Sequence, residues 1–236
     1  MKKQAAALII LMSLMAPLSA LSQAESKDDE LFKKAMSYFF QKKFEMAEIM
    51  LQSVIKKDPE NALAYSYLGD IFLIKKRYDG ALTLYSRALD IKPGSAENYF
   101  RLGQIYYYKR MGEPAIENFQ KALEMDSKLK FSYYHIGLTY LMLQRDKQNT
   151  IKNWETYITK APEDPQYESI RRAIELLRDP NFVIPPEGSE ISIQEALLLG
   201  GATLKKPDRQ STDKKAGHAD KKTKKKIEGI YLDDDL

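Results

Sequence analysis

Apolar side chains recur along this chain in threes and fours. Tyr65, Leu68, Ile71 and Phe72 fall at helical spacing, and after the polar stretch KKRYDG so do Ala81, Leu84, Tyr85, Ala88 and Leu89. The pattern predicts two amphipathic helices joined by a turn. Pro93 ends the second, because proline lacks an N–H and clashes with the preceding turn.

The same pattern returns every 34 residues. One column holds small residues, Ala35, Gly69, Gly103 and Gly137. A second reads Ala47, Ala81 and Ala115, then Thr150 one residue late, each followed four positions on by Leu51, Tyr85, Phe119 or Trp154. Pro59, Pro93 and Pro162 close three units, and Ser127 stands at the fourth place. Small residues at fixed places have a mechanical meaning: two helices approach closely only where the crossing lacks a bulky side chain. A glycine there gives up about 1 kcal/mol of helix propensity to permit the approach. A repeat of this period predicts stacked units that bury a shared core. Four units follow, at 28–61, 62–95, 96–129 and 130–163, the last with one extra residue assigned to its turn QRDKQNT. Pro114, after the GE of the third unit, suits a first helical turn.

A 34-residue helix–turn–helix unit with these residues resembles the tetratricopeptide repeat family over about Asp28 to Glu163. The resemblance implies an all-α, right-handed solenoid whose first helices line a concave face. On that face it places Phe32, Met36, Phe39 and Phe40 from the first unit, and Ser66, Asp70, Leu73 and Ile74 from the second. Phe100, Gln104, Tyr107 and Tyr108 come from the third, and Tyr134, Leu138, Leu141 and Met142 from the fourth. Relatives that grip a partner's terminal carboxylate use paired Lys, Asn and Arg there. Phe32, Met36, Tyr67, Asp70 and Glu97 occupy those places here, with only Arg101 basic, so such a clamp is not expected. An apolar or amphipathic peptide is. Lys34 replaces the leucine seen at Leu68 and Leu102, as suits a solvent-facing end.

Both flanks have their own character. Residues 1–24 carry Lys2 and Lys3, an apolar run interrupted by Pro17, and Ser22-Gln23-Ala24 before Glu25. That is the three-part layout of a secretory signal peptide, the alternative being an uncleaved anchor. With no cysteine anywhere, a lipid-modified cysteine, disulfides and thiolate metal sites are excluded. After the repeats, 164–179 predicts a capping helix with Tyr167, Ile170, Ile174 and Leu177 inward and Glu168, Arg171, Arg172, Glu175 and Arg178 outward, Asp164 capping it and Pro165 starting it. Residues 181–204 predict a linker with a short amphipathic helix, opened by the capping box Ser192-x-x-Glu195. They carry many apolar side chains for a linker and are expected to dock on the solenoid, in the groove of Phe39, Tyr107, Tyr108 and Leu141 or beside Ile174, the alternative being a free segment that serves as bait for a partner. Residues 205–236 hold ten Lys/Arg and seven Asp/Glu with few large apolar side chains, a composition that predicts disorder.

Composition adds little chemistry. The chain carries 37 Lys+Arg against 33 Asp+Glu, and the excess sits in the tail rather than among the aromatics, so no base-stacking platform forms and nucleic acid is not an expected partner. Only two histidines exist, His135, expected on a helix surface, and His218 in the tail. No GxSxG elbow, phosphate loop or calcium-loop spacing occurs. Catalytic residues, cofactors and metal ligands are therefore none. The reading is an exported, periplasmic or secreted, non-catalytic scaffold or assembly adaptor of the bacterial cell envelope that binds protein partners. The alternatives are a surface protein whose lysine tail contacts anionic polymer or lipid headgroups, and an enzyme subunit.

Overall fold

The computed structural model describes residues 30–198, and all regular structure among them is helical. Helix α1 covers residues 30–40, α2 Phe44–Lys57, α3 Ala62–Ile74, α4 Tyr78–Ile91 and α5 Ala96–Tyr108. Then come α6 Gly112–Met125, α7 Phe131–Thr139 with a π-helical continuation Tyr140–Gln144, α8 Lys147–Lys160, α9 Tyr167–Arg178 and α10 Ile193–Leu198. They form consecutive packed pairs, as in repeat solenoids. The leader and the lysine-rich tail assigned from the sequence lie outside the described residues.

The chain divides into two compact units, one reaching Arg101 and one beginning at Leu102. The first holds a core of Ala35, Ala47, Leu51, Val54, Ala64, Leu68 and Ile71. The second is built around Trp154, Tyr157, Leu138, Leu141, Ile170 and Ile174.

The small-residue column marks where helices meet. A Cβ on Gly69 would lie 2.9 Å from the Tyr85 ring, on Gly103 2.6 Å from the Phe119 ring, and on Gly137 2.5 Å from Trp154. Leu51, the smallest partner in the set, shares its core with Ala35, where a methyl group fits. Trp154 also donates from Nε1 to the Tyr134 carbonyl at 3.0 Å, which satisfies its one polar atom in the core.

Each helix pair turns through one left-handed residue: Lys42, Lys76, Arg110 and Arg145, at φ between 56° and 58°. In the first three turns the next amide reaches five residues back, Lys43 to Tyr38, Arg77 to Phe72 and Met111 to Tyr106, the hydrogen bond that closes a helix end. The left-handed residue always precedes the column of Ala47, Ala81, Ala115 and Thr150 by five. That spacing holds in the fourth unit, so its extra residue is not in the turn where the sequence reading put it. It widens the end of the helix instead: Tyr140–Gln144 is π-helical, and the Asp146 amide reaches six residues back to Tyr140. Thr150 fills the alanine slot by donating its hydroxyl to the Asp146 carbonyl at 2.7 Å.

The capping helix also begins later than expected. Asp164 sits in the preceding turn, accepting from the Gln166 amide at 2.7 Å and the Tyr157 hydroxyl at 2.6 Å, and regular helix starts at Tyr167. Burial, with the Asp164 carboxylate second, drives the Tyr157 phenol far above its ordinary range.

Candidate interaction surface

On α1, Phe32, Met36, Phe39 and Phe40 are spaced so that one side of the helix carries all four. Phe39 is their hub. Its ring meets Phe40 at 5.6 Å, Phe44 of α2 at 5.9 Å and Tyr67 of α3 at 5.2 Å, all edge to face, the arrangement that the ring quadrupoles favour. Phe32 leans on Tyr67 at 6.3 Å. The outermost ring, Phe40, is 72% exposed, while Phe32, Met36 and Phe39 are half-buried. The result is an aromatic platform with one open ring.

The second repeat contributes a polar knot. Asp70 Oδ1 accepts from the Tyr85 hydroxyl at 2.6 Å and faces Arg101 Nε at 3.1 Å. Burial raises the Asp70 carboxyl above the usual carboxylate range, against the pull of Arg101 and Tyr85. Asp70 is thus committed within its own unit rather than offered to a ligand. Phe100 is half-buried, as are Tyr107 and Tyr108, whose rings pair at 5.7 Å.

Five residues expected on an open face are buried: Leu73, Gln104, Tyr134, Leu138 and Leu141. Three- and four-residue spacing identifies a side of a helix but not whether another element covers it. In the second unit the cover is visible. Tyr134, Leu138 and Leu141 share one core with Ile174 and Leu177 of α9, and with Phe182, Ile193, Ala196 and Leu197 of the segment that follows. That segment packs into a core that holds both Leu141, from one of the two expected places, and Ile174, from the other.

The segment is held at its edge by the turns. Arg110 pairs with Glu187 at 2.7 Å, Arg145 donates to the Pro185 carbonyl, and Lys147 donates to the Phe182 carbonyl while its ammonium stands 5.2 Å over the Phe182 ring. Helix α10 carries its capping box: the Glu195 amide donates to Ser192 Oγ at 3.1 Å, and the Ser192 amide to Glu195 Oε2 at 2.8 Å. Sequence reasoning did not find Arg110, Arg145 or Lys147. For Arg110 and Arg145 a signal was available, since a basic residue stands at 42, 76, 110 and 145, always just ahead of the second helix; Lys147 has no counterpart in the other repeats.

The remaining chemistry is sparse. His135 is buried rather than on the surface, stacked on Phe119 at 5.2 Å and edge-on to Tyr134 at 5.5 Å. Among the described residues no group of three His, Cys, Asp or Glu could hold a metal ion, and no helix is long and apolar enough to cross a membrane.

Family models described as tetratricopeptide repeat match residues 32–96 and 96–129. No curated protein matches the chain in sequence. Among solved structures, a MamA protein superimposes with a TM-score of 0.57 at 21% identity, covering 64% of this chain and 80% of that one. PilF of Pseudomonas aeruginosa gives 0.56 at 18% identity, covering 64% and 68%. YrrB, described as a TPR protein with an unusual peptide-binding site, gives 0.54 at 16% identity, covering 70% and 87%. At these identities the likeness is one of fold.

Proposed function

We propose that this chain, a tetratricopeptide-repeat protein, is a non-catalytic scaffold or assembly adaptor that holds an apolar or amphipathic segment of a protein partner on the aromatic platform of its first repeat. The carrying observation is Phe40, 72% exposed at the rim of a cluster in which Phe39 meets Phe40 and Tyr67 edge to face. A large aromatic side chain left in water beside a rigid apolar base gains by being covered, and rigid aromatic anchors lose little entropy on binding. YrrB, similar in fold, carries a peptide-binding site by its own description, which supports the reading without locating the site here.

The setting proposed is the bacterial cell envelope. Lys2 and Lys3, the apolar run and Ser22-Gln23-Ala24 form the export signal on which that rests. The intact mass of the protein recovered from a Gram-negative host should place its first residue at Glu25, and retention of Met1 would remove the export reading. The surface itself is tested with a photo-crosslinking residue. Placed at Phe40 it should capture a discrete partner band from the envelope, whereas at Gln52, exposed on α2, it should not. Equal labelling from both places, or none from either, would refute the platform.

A second reading is favoured by the ten Lys/Arg after residue 204, which could hold anionic polymer or headgroups. Salt-sensitive envelope association that disappears on deleting Lys205–Lys226 would mark it.

A further inference from the structure

We infer that the segment Asn181–Leu198 is a built-in competitor: it occupies, on the second unit, a site for an amphipathic helix of another protein. Three observations carry this. The core that α10 joins includes the first-helix residues Tyr134, Leu138 and Leu141, which correspond by repeat register to Phe32, Met36 and Phe39 of the platform in the first unit, together with Ile174 and Leu177 of α9. The first repeat thus leaves these positions half-buried, and the fourth has them buried in a core that the chain's own later segment completes.

The occupant shows the ligand chemistry. Ile193, Ala196 and Leu197 supply an i, i+3, i+4 apolar stripe that is almost wholly buried, while Ser192 and Glu195 stay exposed and cap the helix. A partner helix with the same stripe and a polar opposite side fits the same surface, as amphipathic helices do in apolar grooves.

The attachment is that of a removable element rather than of a fifth helix pair. Helix α10 has only six residues, too few to persist without its surface. Residues 186–190 leading into it are all exposed and include Gly188 at φ 79°. The edge contact Arg110–Glu187 joins side chains that are 66% and 75% exposed, a pairing that water and salt weaken. Elements that open first are drawn from such weakly held segments. This face lies in a different unit from Phe40, so the two assignments fail independently.

The test uses the full chain and a labelled peptide of residues 181–198 as probe, followed by fluorescence anisotropy. In Ile193→Asp/Leu197→Asp the resident helix is expelled and the probe should bind. The wild type should bind it at least about tenfold more weakly, because apparent affinity falls with the fraction of sites left open. A peptide carrying the same two substitutions should bind neither. Equal binding to wild type and double variant, or binding to neither, would overturn the inference. A wild-type dimer that the double variant lacks would overturn it too, since the occupant would then be a second copy. Should the double variant lose its helical signal, Glu187→Lys in the full chain decides. Loosening the edge alone should improve probe affinity about two- to fivefold, and unchanged affinity would refute the competitor.

Discussion

Gly137 and Trp154 fit each other as absence fits presence: a single added Cβ on the glycine would stand 2.5 Å from Trp154 Cδ1 and 3.2 Å from the Thr150 carbonyl oxygen. One of these neighbours is an indole fully buried and hydrogen-bonded to Tyr134, and the other is backbone, so neither can give way cheaply. The first unit solves the same crossing with Ala35 and Leu51.

Gly137→Ala should therefore destabilise the protein by about 1–3 kcal/mol through overpacking, even after the gain of about 1 kcal/mol in helix propensity. Trp154→Leu alone should cost about 3–5 kcal/mol by leaving a cavity. In the Trp154→Leu background, however, Gly137→Ala should cost less than in the wild type, because the pair then approaches Ala35 with Leu51 and only the Thr150 carbonyl stays close. Chemical denaturation of the four proteins gives the coupling, and additive effects would mean that the two positions do not meet.

The turns make a prediction of the opposite sign. Lys76 holds φ 56° with a side chain that is exposed, so its left-handed backbone is strain without compensation at its ammonium. Lys76→Gly should raise stability by about 0.5–1 kcal/mol, since glycine adopts that conformation freely. Arg145→Gly relieves the same strain but loses the hydrogen bond to Pro185, so its net gain should be smaller. Thermal midpoints in that order support the account; a lower midpoint for Lys76→Gly contradicts it.

These two cases show what the sequence could and could not disclose. The glycine and alanine columns were legible because each records a contact inside one repeat, at a fixed distance along the chain. The capping box at Ser192 and Glu195 was legible for the same reason. The left-handed turns were hidden because Lys42, Lys76, Arg110 and Arg145 occupy places where glycine would have advertised the geometry. The extra residue could be located only to the stretch between Gly137 and Thr150, and the hydrogen bonds of Tyr140 were needed to put it in the helix. Burial of Leu138 and Leu141 depends on α9 and on Phe182, Ile193 and Leu197, elements that lie outside the repeat pattern.

Two carboxylates should answer acid differently. Asp146 caps α8 by accepting from the Asn149 amide at 2.9 Å, and that bond holds its pKa below the ordinary value. Its contribution is present above the unfolded aspartate pKa, near 3.9, and fades as pH falls through the folded value. Asp70 has its pKa raised, chiefly by burial, so its relative contribution is fullest below the unfolded value and is lost as pH rises through the folded one. Asp146→Ala should cost about 1 kcal/mol at pH 7, and the deficit should shrink toward pH 3. For Asp70→Asn, the difference from wild type should shift in favour of the variant as pH rises from 3 to 7. Melting curves across that range check both, and parallel pH profiles for the two variants would show that the directions are wrong.

The last prediction concerns how firmly α10 is held. Its amides beyond the capping box, at Ala196, Leu197 and Leu198, are bonded within the helix, as Ala196 is to the Ser192 carbonyl at 3.0 Å. They exchange hydrogen only when the helix opens. Ile193, Ala196 and Leu197 are buried in one core with Trp154, which argues for protection. The brevity of the helix and the exposed stretch 186–190 argue that opening requires no unfolding of the rest. Native-state exchange should therefore find these amides slower than random coil, yet faster by at least about tenfold than those around Trp154. Arg145→Ala and Lys147→Ala, which remove the donors to Pro185 and Phe182, should speed exchange in α10 and leave α8 nearly unchanged. Random-coil exchange in the wild type would show that the segment does not dock. Rates equal to those of Trp154 would show that it opens only when the whole unit unfolds, and would make it part of the fold rather than a guest on it.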